Sequence, residues 1–380
     1  MLSESEPKSS SLIARMNHPT TQKGASKRLT PVGIIFAALG LALFVYFIWK
    51  ANPAEIWANI KQLGAGFLLV LLVSSVRPIV RSLAWTRCFE GEQRLPFLYA
   101  LRAYLIGDAV GTLVPLGIFV SEPAKAALVR ERVPLVTGFS ALAIENLFYS
   151  LSVTLFIFSG TVALMLSFSL PKALQIASIS ALVAVVVVLA VAFVVIRREW
   201  KFLSGALEFL YGRGVGRRFL ETKRARVRSL EERVYGFYAR NRARFIPILL
   251  LEACFHLSGV IEVFIVLSFI SDSHVTLLTA FVLESVNRII NVVFKVVPLR
   301  MGVDEAGTGI LTRVLNLGTT VGVTLAIIRK TRIICWTALG VILLVGRGLT
   351  LKDVAEGAEA AAQEVSQKTP AAKVSVSESR

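Results

Sequence analysis

The sequence has few of the side chains that build disulfide frameworks, metal centres or covalent active sites. Its three cysteines, Cys88, Cys254 and Cys335, lie far apart, in or beside apolar runs. We expect them to be small buried side chains, because neither a paired framework nor a metal-ligand spacing connects them. The chain also lacks a Gly-rich phosphate loop, a nucleophile elbow and a cysteine–histidine cluster. We therefore expect no cofactor and no enzymatic activity.

Polar segments of the size of an enzyme domain are absent as well. The longest polar stretch, residues 197–244, holds fourteen Lys or Arg against five acidic residues. Such a short basic stretch predicts an amphipathic helix on the membrane surface.

Apolar residues dominate the rest of the chain. A mean hydropathy of +0.68 and a hydrophobic content of 55% do not suit soluble domains. Apolar runs of about twenty residues, the length that crosses a bilayer as a helix, recur from residue 32 almost to the C-terminus. The fold class predicted is an all-α integral membrane protein. No cleavable signal peptide is expected. The apolar stretch of a signal peptide lies close to the N-terminus, whereas about thirty polar residues precede the first apolar run here.

The formal charge of +17 raises the question of nucleic-acid binding. Most Lys and Arg lie between the apolar runs, where the positive-inside rule and anionic lipid headgroups account for them. We therefore expect membrane lipids, with anionic or zwitterionic headgroups, as partners, and no nucleic acid.

One stretch of the sequence occurs twice. Residues 115–122 and 298–305 both contain Pro-Leu, four further residues, a small helix-capping residue and Glu. At this offset of 183, ten of the thirty positions from Pro115 are identical. The match predicts an internal repeat.

The distribution of charge assigns opposite orientations to the two repeats. If every apolar segment crossed the membrane, the basic segment 197–244 would lie outside, against the positive-inside rule. The conflict disappears if residues 95–132 enter from the cytoplasm and return to it, bending at Pro115. Residues 277–318 then enter from the outer side and return there, bending at Pro298. Inverted repeats with broken helices are typical of secondary transporters.

The complete topology predicted has about six full transmembrane helices plus two re-entrant helical hairpins. The spans are residues 32–49, 65–83, 137–168, 173–196, 246–270 and 320–345. Repeat one covers about residues 95–196 and repeat two about 275–346, within a membrane domain of residues 31–350. Residues 1–30 and 351–380 are expected to be disordered. Both termini are expected in the cytoplasm and the protein in the cytoplasmic (inner) membrane.

The two bends are candidates for a binding site. A non-helical backbone is tolerated in hydrocarbon only where protein covers it or a wet cavity lies beside it. Ser121 and Asp304 are predicted to be N-caps of the returning helices, with Glu122 and Glu305 in the first turn. Free N–H groups there would suit an anion such as a lipid phosphate. Alternatively, these residues only cap helices.

Ionisable side chains within the spans are costly and usually face a cavity or a partner. Besides the candidates given in the last sentence of this paragraph, the group contains Arg77, Glu252, His256, Glu262, Lys295 and Lys330. Some of these polar residues form a set that would line a route for a headgroup, with Arg pairing phosphate and Glu pairing amine. The candidates are Arg81, Arg102, Asp108, Ser121, Glu122, Lys125, Glu145, Glu284, Asn287, Arg288, Asn291, Asp304, Glu305, Arg329 and Arg332.

Two alternatives remain open for this set. The residues would equally serve as structural ion pairs across the repeat interface, and Arg81 and Arg332 would leave the set if they snorkelled to the membrane surface. Glu252 and His256, four residues apart, suit a metal or a proton relay, but no third ligand is near in sequence and a satisfied buried histidine is the simpler interpretation.

Residues 298–307, followed by Leu317 and Gly318, resemble the Pro…Gly-Val-x-Glu signature of the lysylphosphatidylglycerol synthase transmembrane (flippase-like) domain family. The resemblance extends over about residues 32–345. The first half departs from the family pattern: Ser121-Glu122 with Lys125 stand for the usual Gly-Glu and basic residue, and Glu145-Asn146 for a Glu-Arg pair.

The resemblance implies a stand-alone member, without the aminoacyltransferase domain, that transfers lipids between leaflets. The expected function is a lipid translocase working by alternating access of inverted repeats. The proton carriers considered are Glu145, Glu284 and the Glu252–His256 pair. A secondary transporter of a soluble organic anion, and an accessory subunit that partners a lipid-biosynthesis enzyme, are the alternatives.

Overall fold

The computed structural model describes residues 52–90, 93–114, 117–197, 236–237, 240–294, 297 and 300–367, together with Tyr46 and Trp49. Within these residues the chain is all-helical and contains no strand, as expected. Twelve helices follow one another: α1 Pro53–Leu63, α2 Gly66–Ser74, α3 Val76–Arg87, α4 Phe97–Leu113, α5 Ile118–Leu128, α6 Leu135–Ser167, α7 Lys172–Arg197, α8 Arg242–Ile270, α9 Leu277–Val293, α10 Val303–Val314, α11 Thr319–Val345 and α12 Leu351–Gln367.

Four helical stretches in the described residues are long and apolar enough to cross a membrane. They are Gly66–Arg87, Leu135–Ser167, Lys172–Val191 and Arg242–Ile270. The predicted span 32–49 lies outside the described residues, as do the predicted disordered segment 1–30 and most of the basic segment 197–244. The predicted last span is present as helix α11, but it does not reach the required apolar character, since it contains Arg329, Lys330 and Arg332.

The first of these stretches is interrupted at Ser75, between α2 and α3. Pro78 explains the interruption, because proline has no N–H group and its ring collides with the carbonyl of the residue four positions earlier. The interruption lies two residues before Arg77 and six before Arg81, and α3 carries both side chains towards the other helices.

Each of the two repeated stretches forms a pair of helices with a break between them, α4–α5 and α9–α10. The predicted N-caps are wrong. Helix α5 begins at Ile118 with Gly117 as its N-cap, so Ser121 lies inside the helix and Glu122 in its second turn. Helix α10 begins after Gly302, so Asp304 also lies inside the helix, while Glu305 is in the first turn as predicted.

Backbone geometry gives the reason for both glycine caps. A Cβ atom on Gly117 would lie 1.9 Å from the carbonyl oxygen of Gly111, so α4 and α5 approach too closely there for any side chain. Gly302 has a φ of 78°, which favours glycine over the other residues. The capping side chains expected from the sequence are therefore displaced into the helices.

The long helix of each repeat packs against the first helix of the other repeat. Helix α6 contacts α9, where a Cβ atom on Gly160 would lie 2.0 Å from Ser285 Oγ. Helix α11 contacts α4, where a Cβ atom on Gly340 would lie 2.4 Å from the carbonyl oxygen of Leu105. The two repeats thus exchange contacts through a glycine on each side, and α8 packs between them against α3, α6 and α9.

The C-terminal segment differs from the prediction of disorder after residue 350. Residues Leu351–Gln367 form helix α12, which packs on α5. Val354 and Ala358 are buried against Ile106, Val110 and Ala124. The apolar side chains recur every three or four residues and give this Ala- and Glu-rich segment one buried face, which its overall composition concealed. Residues 368–380 lie outside the described part.

Candidate functional site

Arginine side chains from three helices converge on the buried carboxylate of Glu284. Arg288 Nη2 lies 2.6 Å and Arg77 Nη2 3.5 Å from Glu284 Oε1, and Arg329 Nη2 lies 3.2 Å from Oε2. Glu284 is only 1% exposed. A single carboxylate of α9 therefore holds guanidinium groups from α3, α9 and α11.

A second carboxylate, Glu262 of α8, completes this group. Arg77 Nη2 lies 2.9 Å from Glu262 Oε2, and Arg332 Nη1 donates a hydrogen bond to the same oxygen. Arg77 is thus shared by both carboxylates. We call these six residues the guanidinium cluster: Arg77, Arg288, Arg329, Arg332, Glu262 and Glu284.

The guanidinium cluster carries more positive than negative charge. Four arginines face two glutamates, which leaves a formal charge of +2. Arg77 Nε, Arg288 Nε and Arg329 Nη1 are buried and have no hydrogen-bond partner among the described residues. Because buried charge and unused N–H donors are both costly, the cluster has the chemistry of an anion-binding site.

The polar face predicted on α9 lies beside this cluster. Glu284, Asn287 and Arg288 are all buried, and the guanidinium of Arg288 lies 4.9 Å above the ring of Phe255. The side-chain oxygens of Asn287 and Asn291 have no hydrogen-bond partner among the described residues. The four predicted residues of this face therefore include two with unused polar groups.

Arg81, one helical turn after Arg77 on α3, lies between two other buried carboxylates. Its Nε lies 2.8 Å from Glu145 Oε1 on α6, and its Nη1 lies 3.8 Å from Glu252 Oε2 on α8. Its guanidinium lies 3.9 Å from the centre of the Tyr149 ring. We call Glu145 and Glu252 the carboxylate pair.

At the break between α4 and α5, Lys125 is buried between two carboxylates. Its Nζ lies 2.8 Å from Asp108 Oδ1 and 2.9 Å from Glu122 Oε1. Glu122 accepts a hydrogen bond of 3.0 Å from Asn146, and the amide oxygen of Asn146 accepts one of 3.1 Å from Arg81. A continuous polar chain therefore links this break to the carboxylate pair.

At the break between α9 and α10, Glu305 is fully buried. Its Oε2 accepts a hydrogen bond of 2.8 Å from the Gly302 amide, and its Oε1 accepts one from Lys330 of α11. Asp304 Oδ2 lies 3.9 Å from Lys330 Nζ and 3.7 Å from Arg300 Nε. In both repeats, the glutamate of the repeated motif is thus bound by a side chain of the following long helix, Asn146 or Lys330.

Most of the candidates from the sequence meet in these groups. Arg81 and Arg332 point inward to carboxylates and are 4% and 8% exposed, so they do not snorkel to the surface. Arg102 is exposed on α4 and pairs with no described residue, and Ser121 packs against Gly111 without a charged partner. The mutual pairing is what the structural alternative predicts, but the excess charge of the guanidinium cluster is not explained by it.

Six charged or amide side chains of these groups were not among the substrate-binding candidates. Four of them, Arg77, Glu252, Glu262 and Lys330, already stood out as ionisable residues within apolar runs. Arg300 lies in the second repeated stretch, and Asn146 carried no such signal. The presence of an ionisable residue within an apolar run was therefore a better guide to the members of these groups than the narrower list of candidates.

The contacts of His256 favour the simpler interpretation, a satisfied buried histidine, over a metal site. His256 Nε2 lies 3.1 Å from Ser152 Oγ, and the ring stacks on Phe156 at 4.5 Å. Among the described residues, no group of three His, Cys, Asp or Glu side chains has the geometry of a metal site. A buried, hydrogen-bonded histidine, the simpler interpretation, agrees with these contacts.

Comparison with known proteins gives one family. The model of the lysylphosphatidylglycerol synthase TM region matches residues 32–348, which is most of the chain. No curated protein and no solved structure matches the chain significantly. The match covers both helix breaks and every residue of the groups described above.

Proposed function

Because the chain belongs to the family of the lysylphosphatidylglycerol synthase TM region, we propose that it moves a polar-headed lipid between the two leaflets of the membrane. The family and the four membrane-length helices indicate a membrane protein related to lipid modification or translocation. The step from that class to a translocase rests on the geometry of the buried charges.

The guanidinium cluster is the observation that carries the proposal. It holds an excess of two positive charges and three unused N–H groups where charge is expensive to bury. A phosphate group would satisfy both, since its negative charge balances the excess and guanidinium N–H groups donate hydrogen bonds to its oxygens in a forked geometry. The substrate is therefore a lipid whose headgroup contains an anionic group.

Movement between leaflets requires a site that opens to either side in turn. We assign α4–α5 and α9–α10 as re-entrant hairpins of an inverted repeat that meet near the middle of the membrane. The reciprocal contacts of α6 with α9 and of α11 with α4 support this assignment, as does the break in each repeated motif. Rocking of one repeat against the other would then expose the cluster alternately.

The surrounding surface supports contact with lipid. Helix α7 packs mainly on α6. Within its apolar stretch Lys172–Val191, only about a tenth of the residues are buried inside the protein. Val183, Val187 and Val191 are exposed along it. An acyl chain would remain in hydrocarbon beside such surfaces while the headgroup crossed between the helices.

The proposed location rests on the basic residues beside the spans, and the proposed partner rests on the need for a lipid substrate. We propose the cytoplasmic (inner) membrane, with both termini in the cytoplasm, because basic residues flank the spans on that side. The lipid itself would be made elsewhere, so an enzyme of lipid biosynthesis is the proposed protein partner. The chain would then act without catalysis of its own.

A secondary transporter of a soluble organic anion is the second candidate. The same excess of guanidinium groups favours it, because a soluble phosphate or carboxylate would bind there as well. The two candidate functions differ in whether the transported anion carries acyl chains.

Reconstitution into vesicles separates them. The purified chain would be incorporated into phosphatidylcholine vesicles containing a trace of acyl-labelled phosphatidylglycerol, and the label in the outer leaflet would be destroyed by an impermeant reductant. We expect label from the inner leaflet to become accessible only with the protein present. Flux of trapped soluble phosphate ester without lipid movement would overturn the translocase in favour of the second candidate.

A further inference from the structure

Two buried carboxylates share one guanidinium group in the carboxylate pair. Glu145 and Glu252 are each 1% exposed and face Arg81 at 2.8 and 3.8 Å. If both were ionised, the three residues would carry a net charge of −1. Like carboxylates around one site in a medium of low dielectric constant do not both ionise readily.

The hydrogen bonding of the pair is incomplete as well. All four carboxylate oxygens are buried without a hydrogen-bond partner among the described residues, as are Nε and Nη1 of Arg81. An ionised carboxylate without donors is costly in such a place, whereas a protonated one has half the demand for them. One guanidinium for two carboxylates, with incomplete hydrogen bonding, suits a small additional cation, and a proton is the smallest.

Other charged or titratable groups near the pair do not supply the missing positive charge. The groups near it on the neighbouring helices are Cys88, Tyr104, Glu122, Lys125 and Tyr149, and His256 lies one turn after Glu252 on α8. Lys125 is already bound between Asp108 and Glu122. His256 is hydrogen-bonded to Ser152 and stacked on Phe156.

A cleft lies beside α6 close to the pair. It has a volume of about 220 Å³ and is lined by Cys88, Glu90, Gln93, Thr137, Ser140, Ala141 and Ile144. Ile144 immediately precedes Glu145 on α6. The cleft contains the carboxylate of Glu90 and two hydroxyl groups, which suits water.

We propose that Glu145 and Glu252 form a shared site for one proton, and that its occupancy is coupled to anion binding at the guanidinium cluster. The coupling rests on the proposed function. Arg81 and Arg77 are one turn apart on α3, about 6 Å along the axis. Binding of a proton changes the charge beside the cluster from −1 to 0, and this favours an anion. By linkage, an anion in the cluster favours the proton to the same extent.

Infrared spectroscopy of the purified chain in nanodiscs of neutral lipid tests the proton site without requiring transport. We expect a protonated-carboxyl C=O band at neutral pH that disappears when the pH is raised. Glu145→Gln and Glu252→Gln should each remove the band at neutral pH, because the remaining carboxylate pairs one to one with Arg81. The exposed Glu131→Gln is the control and should keep it. Absence of the band from the wild type, or its persistence in both variants, would overturn the proton site.

Vesicles with a transmembrane pH gradient test the coupling. We expect lipid translocation by the wild type to increase at low pH, and Glu145→Gln to translocate with no dependence on pH, because its local charge is fixed at 0. Translocation with the same pH dependence in wild type and variant would refute the coupling while leaving the translocase intact. Failure of the wild type to translocate at any pH would instead refute the proposed function, and the infrared band would still decide the proton site.

Discussion

Lys330 of α11 donates a hydrogen bond to the buried carboxylate of Glu305 at the start of α10. The same carboxylate accepts a hydrogen bond from the Gly302 amide, so it closes the break between α9 and α10 and ties it to the long helix of its repeat. If α10 moves relative to α11 during transport, this contact must break or move with it. A substitution of Glu305 therefore distinguishes most directly between a role in helix capping and a role in transport.

Glu305→Gln should reduce lipid translocation at least about ten-fold, a loss equivalent to about 1.4 kcal/mol. Gln keeps the size of the side chain but removes the carboxylate charge that faces the buried ammonium group of Lys330. Translocation in vesicles and the yield of folded protein are measured together. Glu356→Gln, which removes an exposed carboxylate 3.7 Å from Lys352, is the control and should change neither quantity. Normal translocation with reduced stability would mean that Glu305 is only a cap.

The contact between α11 and α4 predicts the effect of a single methyl group. A Cβ atom on Gly340 would lie 2.4 Å from the Leu105 carbonyl oxygen and 2.6 Å from Ala109 Cβ. Gly340→Ala should therefore force the helices apart and destabilise the protein by about 1–3 kcal/mol, measured by thermal unfolding in detergent. Gly357→Ala on α12 meets no atom within 4 Å and should be neutral or stabilising, because alanine favours a helix. Equal stability of the two variants would show that the close approach is absent.

The docking of α12 has its own matched pair of substitutions. Ala358 is 1% exposed against Ile106 and Ala124, whereas Ala360 is exposed on the same helix. Ala358→Asp should release α12 from α5, because an unpaired buried carboxylate costs several kcal/mol, about 3 or more. Ala360→Asp should leave it docked. Limited proteolysis after Arg347 reads the difference, and equal resistance in both variants would contradict the packing.

The sequence predicted which charged residues are buried more successfully than it predicted which of them form ion pairs with one another. The polar face of Glu284, Asn287 and Arg288 followed from helical spacing alone. Its pairing with Arg77 and Arg329 did not, because charge patterning identifies which side chains are buried but not which distant helix brings the opposite charge. Helix α12 was missed for a different reason: the Ala- and Glu-rich composition suggested disorder, and the buried apolar face shows only in the spacing of its residues.

The predicted caps show a second limit of sequence reasoning. Ser121 and Asp304 have the right chemistry for N-caps, yet glycines two to four positions earlier take that place. At Gly117 the cause is the carbonyl oxygen of Gly111, which belongs to another helix. Local preference therefore gave the position of each break to within one turn, and tertiary contact decided the residue.

The orientation of the chain is testable by cysteine labelling. In a variant without its three cysteines, a membrane-impermeant maleimide should label Ser273→Cys in intact cells, since residues 271–276 contain no Lys or Arg. Gln93→Cys, between Arg87 and Arg94, should label only after permeabilisation. Both positions are exposed, so a difference in labelling reports the side of the membrane. The reverse pattern would refute the orientation, and labelling of both positions from the same side would overturn the inverted-repeat topology.

The charge of the guanidinium cluster gives the sharpest test of the substrate class. Arg288→Ala and Arg329→Gln each lower the formal charge from +2 to +1, so each should weaken binding and translocation of an anionic lipid at least about ten-fold. Arg313→Gln on the exposed face of α10 removes the same charge far from the carboxylates and should have no effect. Translocation of anionic phosphatidylglycerol and of a lipid lacking any anionic group would be compared in the same vesicles. If the variants affected both lipids equally, the cluster would be structural, and selectivity for an anion would be refuted even though the chain still moved lipid.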